Sequence, residues 1–250
     1  MGIILKSERE MEVMREGGKK LAKIKAFLRK NIKPGVSAAE IEKLAERLIK
    51  EEKGKPSFKM VPGYRWATCV NVNHGVVHGI PTKEIIFRKG DVVSIDVGLF
   101  YKGFHTDTSF SVALEGNGKH KDFLDIGEKA LDEGIRNCYP GKRIFDISQA
   151  IESVLRLKGY NPVRALVGHG IGRDLHEDPQ IPCFVDGKRE DSMILSEGSV
   201  LAIEVMYSYG NGEIQVEADG WTITTQDGKI SALFEDTVAI TKNGPIVLTR

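Results

Sequence analysis

At 250 residues, with 41% apolar and 28% charged side chains, the chain has the proportions of an ordinary globular protein, able to bury roughly three quarters of its unfolded surface. Lys plus Arg number 36 and Asp plus Glu 35, a formal net charge of +1, which argues against a nucleic-acid partner. No apolar run reaches the roughly 18 residues of a membrane span, and Lys6 cuts short the stretch a signal peptide needs and occupies the Ser/Thr place of a myristoylation motif. Cys69, Cys138 and Cys183 are too few and scattered for a disulfide framework and read as reduced thiols, so the expected compartment is the cytoplasm.

In chain order, Met11, Met14, Leu21, Ile24 and Leu28 recur at helical spacing and predict a first amphipathic helix ending before Pro34-Gly35. Ser37 and Glu40 form a capping-box pattern that opens a second helix with Ile41, Leu44, Ala45, Leu48 and Ile49 on its apolar face. From Gly54 to about Leu114 the pattern changes to short strands and turns. Helical spacing returns with Phe123, Ile126, Ala130, Leu131 and Ile135, and Pro140-Gly141 precedes a fourth helix carrying Ile147, Ala150, Ile151, Val154 and Leu155. Strand-like segments follow, including 200–206 and 231–240. A displacement of 106 residues carries Asn31, Pro34, Gly35, Glu40 and Ile41 onto Asn137, Pro140, Gly141, Asp146 and Ile147. This predicts one domain over 1–250 built from two related halves, roughly 8–114 and 118–240, with a site at their junction.

Four segments carry the chemistry. In SIDVGLFYKGFHTDTSF, Asp96 and Asp107 lie in two β-rich runs; a turn at Tyr101-Lys102 would set them directly opposite each other on one face. Like charges so placed are either solvent-facing acids of an edge hairpin or a pair neutralised by a metal ion. GHGIGRDLHEDP holds His169 and His176 among glycines, either catalytic or structural histidines. Glu204 in LAIEVM and Glu235 in ALFEDTVAI sit among aliphatic residues, where a carboxylate needs a partner. NVNHGVVHGIP offers His74 and His78. Together, Asp96, Asp107, His169, Glu204 and Glu235 make four carboxylates and one imidazole, an oxygen-rich set that suits two catalytic first-row divalent ions.

These segments, with DGWTITTQDGKISALFEDT, resemble the type I methionine aminopeptidases, metallopeptidases of the pita-bread fold, over nearly the whole chain from about Glu8. The resemblance implies an α+β fold, with pseudo-twofold duplicated halves and a curved antiparallel sheet backed by helices. It implies two divalent ions (Co, Mn, Fe(II) or Zn): Asp96 on one, His169 and Glu204 on the other, Asp107 and Glu235 bridging. A metal-activated hydroxide then attacks the first peptide bond while Glu204 accepts the proton, His176 faces the oxyanion and His78 the amide nitrogen. The methionine pocket corresponds to Phe58, Tyr64, Cys69, Leu175 and Trp221. The implied substrates are nascent polypeptide N-termini with a small second residue, and short Met-peptides, cleaved by a monomer working near the ribosome. Val77, Leu175 and Cys183-Phe184 depart from the family's usual residues, which bears on the pocket and not on the ligands.

Two rivals are weighed. A proline-specific exopeptidase of the same fold would be expected to carry a further N-terminal domain. A non-enzymatic binding module of this fold would be expected to have lost ligands, and all five are here. The 28 positions between His176 and Glu204 leave no room for the type II insertion, and a bacterial-like type I enzyme is expected.

Overall fold

The structure, a computed structural model, describes residues 2–114 and 118–250; the expected single domain includes Met1 and residues 115–117, which lie outside the described residues. Helix α1 (Glu8–Asn31) starts where Ser7 accepts from the Glu10 N–H while the Glu10 carboxylate accepts from the Ser7 N–H at 2.9 Å. Helix α2 (Ala38–Glu51) opens with the expected Ser37–Glu40 box and buries Ile41, Ala45 and Ile49. Strands β1 (Lys55–Pro56), β2 (Thr68–Val72), β3 (Gly75–Val77), β4 (Val92–Tyr101) and β5 (Phe104–Ala113) complete the first half. The second half runs α3 (Lys121–Ile135), α4 (Ile144–Leu157), β6 (Asn161–Pro162), β7 (Val167–Gly170), β8 (Glu177–Pro182), β9 (Val200–Ser208), β10 (Ile214–Val216), β11 (Ile223–Thr225), β12 (Ser231–Thr241) and β13 (Gly244–Val247). Among the described residues no helix is long and apolar enough to cross a membrane.

Ten strands form one sheet in the order β1-β4-β5-β12-β9-β7-β8, with β2 on β4, β6 on β9 and β13 on β12; every pairing is antiparallel. One face is covered by the helices. Leu21, Ile24 and Leu28 of α1 and Ile41, Ala45 and Ile49 of α2 pack on Val93, Ile95, Val97 and Leu99. Phe123 and Leu131 of α3 and Ile147, Ile151 and Leu155 of α4 pack on Leu201, Ile203, Val205 and Phe234. The other face, with the small sheet β10-β11-β3, is left to the cleft. The α+β architecture is the expected one.

Both ends of α4 are displaced from those of α2 by the 106 residues seen in the sequence. Each helix start is tied to the chain in the same way. Gly35 N–H donates to the Phe87 carbonyl and Ala38 N–H to that of Ile85; Gly141 N–H donates to Leu195 and Ile144 N–H to Met193.

One expectation is corrected. The β4–β5 hairpin turns at Lys102-Gly103, one residue later than Tyr101-Lys102. A two-residue turn of this hand needs positive φ at both central positions; Lys102 has φ 48° and Gly103 φ 92°, and only glycine takes that region without strain. Asp96 therefore faces Ser109, and Asp107 faces Gly98. The register moves by an even number of residues, so both aspartates stay on one face as diagonal neighbours.

Candidate metal centre and pocket

The directly opposed acids are a different pair. Glu204 of β9 lies across from Glu235 of β12, Glu235 lies across from Ser109 of β5, and Ser109 across from Asp96 of β4. Three carboxylates thus share one row over four strands, and Asp107 sits two residues from Ser109 on the same face. The fifth member arrives on β7: His169 pairs with Ala202, two residues from Glu204. Pleated strands project these side chains away from the helices because their neighbours Ile95, Val97, Ile203 and Val205 fill the helix-side core.

Ligand atoms of Asp107, His169 and Glu235 lie within 4.8 Å of one another, and their residues are 4%, 8% and 2% exposed. Glu204 Oε1 is 3.5 Å from His169 Nε2. Nδ1 of His169 lies 2.8 Å from the Gly170 carbonyl, which can only accept; the proton is therefore on Nδ1, and Nε2 presents its lone pair to the acids. Asp96 Oδ1 and Glu235 Oε1 are buried without a hydrogen-bond partner. An unpartnered buried carboxylate oxygen is costly, and two of them on residues that share a cavity with a neutral imidazole fit divalent cations.

The electrostatics point the same way. Burial, then the Asp107 and Glu204 charges, hold the Asp96 carboxyl well above its usual range. Burial, outweighing the Thr108 N–H bond, pushes Asp107 to about 7. Glu204 is raised by burial and then Asp107, and Glu235 by burial and then Asp107 and Glu204. His169 is lowered to about 3 by burial and by His176, a change that keeps the imidazole neutral and able to ligate. A cationic partner reverses the penalty on every carboxylate.

Above this cluster lies a cavity of about 140 Å³, the size of a side chain more than of a whole ligand. It is lined by the five residues just described, by His78 and His176, and by Phe58, Val61, Tyr64, Cys69, Val77, Leu175 and Trp221. All twelve expected site residues are therefore brought together. Tyr64 anchors the apolar wall: its ring meets Trp221 and Trp66 edge-on at 5.1 and 5.2 Å, and its hydroxyl donates to the Thr68 carbonyl at 3.0 Å. Burial raises its hydroxyl and the Cys69 thiol, so both remain neutral wall groups. Val77, expected to bear on the pocket, lines this wall; sequence reasoning did not place Val61 there, since a lone aliphatic residue carries no signal of its own.

The two further histidines line both this cavity and the wider cleft beside it. The His176 ring stands edge-on to His169 with centroids 4.5 Å apart. His78 adopts φ 58°, a left-handed conformation uncommon outside glycine and typical of sites that aim a side chain. The next residue fixes it there: Gly79 N–H donates to Asn71 Oδ1 at 3.0 Å, and a Cβ on Gly79 would fall 2.2 Å from the Val70 carbonyl oxygen. Burial lowers the pKa of both histidines, for His78 with added repulsion from His176. His74 takes no part; it is exposed, and its carbonyl accepts from Thr225. A wider cleft of about 560 Å³ continues outward past His78, His169, His176 and Glu204 between Ala165, Leu166, Gln180 and Met206.

The profile of metallopeptidase family M24 matches residues 12–242. A methionine aminopeptidase of Bacillus subtilis is 42% identical over 250 residues, covering 99% of both chains, and one of Aquifex aeolicus is 38% identical with full coverage of both. A methionine aminopeptidase structure from Thermotoga maritima superposes with TM-score 0.95 at 41% identity, covering 99% of each chain. A prolidase from Pyrococcus furiosus shares the fold, with TM-score 0.79 at 24% identity.

Proposed function

The chain belongs to metallopeptidase family M24, and from that premise we propose that its cleft holds two divalent ions and cleaves the first peptide bond after an N-terminal methionine. The chain is a metal-dependent aminopeptidase of the methionine-removing kind. What carries the detailed reading is the meeting of five ligand-capable residues, two further histidines and an apolar wall in one cavity.

In this reading Asp96 would serve one ion, His169 and Glu204 the other, and Asp107 and Glu235 would serve both. Ions bound there would offset the four carboxylates and supply the Lewis acidity that makes water nucleophilic at neutral pH. Glu204 would accept the proton of the attacking water. His176, neutral at pH 7, donates to the developing oxyanion, and His78 contacts the amide nitrogen. Phe58, Tyr64, Cys69, Leu175 and Trp221 enclose the methionine side chain; a flexible thioether fills an irregular aromatic cavity and gains sulfur–aromatic contact. The first-row metal used, whether Co, Mn, Fe(II) or Zn, is left open by this donor set. The same reading makes the chain a single duplicated domain, acting as a cytoplasmic monomer on nascent N-termini with small second residues.

A peptide panel at fixed metal concentration tests it. Met-Ala and Met-Gly peptides should be cleaved at least about 10²-fold faster than Met-Lys, N-acetyl-Met-Ala or Ala-Pro peptides, a gap at the upper end of the roughly 10–200-fold that a single methylene is worth. Faster cleavage of an X-Pro bond would favour a prolidase-like activity, and binding without product at any metal would favour a binding module.

A further inference from the structure

The loop 171–176, between β7 and β8, carries Leu175 of the pocket wall and His176. It is held from outside by the segment that leads into α1. Lys6 is 6% exposed; its ammonium donates to Glu177 Oε2 and, at 2.9 Å, to the Ile4 carbonyl. The opposite oxygen, Glu177 Oε1, accepts the Arg173 N–H at 2.7 Å and the Asp174 N–H at 3.3 Å, closing the loop on itself. Gly172 makes the crossing possible, since a Cβ there would fall 2.4 Å from Lys6 Cε and 2.7 Å from Glu177 Oε1. Its carbonyl accepts from His105 N–H at 2.7 Å, tying the loop to β5 two residues before Asp107. Arg173 reaches the Glu10 carboxylate of the α1 capping box at 2.6 Å and lies over the Phe104 ring at 5.2 Å. The Lys6 N–H donates to the Gly198 carbonyl at 2.8 Å, so the donor's own backbone is fixed.

A buried lysine–carboxylate pair is weak evidence for stability, because well-packed apolar residues often replace one without loss. Directionality is what such a pair offers and an apolar contact does not. Here it locks the residue that follows His176 in the chain. We propose that segment 4–10 is a strap in which Lys6 and Glu177 are positioning residues, setting loop 171–176 so that His176 and Leu175 meet the scissile amide and the methionine side chain. The inference rests on His176 contacting substrate as read above. Lys6 lines neither cavity, so its effect on turnover passes entirely through the loop.

The test uses Lys6→Met and Glu177→Gln, each alone and combined with His176→Ala, in the full-length metal-loaded protein. Turnover of Met-Ala peptide, metal content and amide hydrogen exchange are measured on the same samples. Lys6→Met should speed exchange at Arg173 and Asp174 and lower kcat about tenfold or more, within the 10²-fold that a displacement of about 1 Å can cost. Metal content should not change. In the His176→Ala background the same substitution should cost no further kcat, because the group it aims is gone. Equal loss in both backgrounds, or an unchanged kcat with the loop loosened, overturns the strap. If His176→Ala alone leaves kcat intact, the reading of the site falls and takes the strap with it, so the two failures differ in the single variant. Glu177→Gln keeps the side chain's shape and an acceptor oxygen, and provides the same comparison should Lys6→Met not fold.

Discussion

At the residue scale, a carboxylate's value here depends on what it faces. Asp96, Glu204 and Glu235 are raised by burial and then by neighbouring acids, and Asp107 by burial, so none is stabilised by the protein alone. Asp236, one residue after Glu235 and equally buried, is the contrast: Lys25, Arg250 and Thr249 surround it on the helix side. A buried acid with partners is structural, and a buried acid whose neighbours are other acids is a cation site. Asp107→Asn and Glu235→Gln should therefore each disable both proposed ion positions. Peptide turnover is expected to fall by about 10²-fold or more, the size of losing one preorganised electrostatic contact. Metal titration by calorimetry checks it, with reduced stoichiometry expected. Full turnover by either variant at saturating metal would remove the bridging role.

At the element scale, the helices are set by how closely backbone can approach backbone. Gly17 and Gly18 are adjacent buried residues of α1 but meet different neighbours. A Cβ on Gly18 would lie 2.3 Å from the Leu248 carbonyl oxygen, while one on Gly17 would lie 3.4 Å from Tyr101 Cβ. Gly18→Ala must push α1 away from the C-terminal segment that packs on β12, and should cost about 1–3 kcal/mol, the usual range for overpacking. Gly17→Ala meets only ordinary contact and gains up to about 1 kcal/mol of helix propensity, so it should be near neutral or stabilising. Urea unfolding of both metal-free variants decides the matter; equal destabilisation would show that helix position is not set at Gly18.

At the scale of the whole molecule, two helix pairs back one sheet, and each half contributes strands to the carboxylate row. Acid sensitivity is a property of this scale, because it sums over histidines held neutral by burial. His120, beside the Tyr209 hydroxyl and away from the cleft, is the clean reporter. Burial, then the Lys119 charge, lowers its pKa below 6.5. Above that value the histidine is neutral in both folded and unfolded states; as pH falls below it, the unfolded chain takes up the proton first and stability drops. His120→Gln should flatten the loss of unfolding free energy between about pH 7.5 and about pH 5 relative to the parent. An unchanged pH slope would place the acid sensitivity elsewhere.

Much of this was legible in the sequence for local reasons. Capping boxes, helical spacing and Pro-Gly punctuation act within a few residues, so α1, α2 and α4 begin where their own residues place them. Acids among aliphatic residues marked Glu204 and Glu235, and parity along a strand kept Asp96 and Asp107 on one face even though the turn was misplaced by one residue. The turn was misplaced although its signal is local: Lys102-Gly103 puts a glycine at one of the two positive-φ positions, and Tyr101-Lys102 puts none. The facing of Glu204 and Glu235, the place of Val61 in the pocket wall, the exclusion of His74 and the reach of Lys6 to Glu177 all join residues distant in the chain or on separate loops. Such contacts are chosen by which strands neighbour one another and how closely backbones approach, quantities that exist only once the two halves have packed.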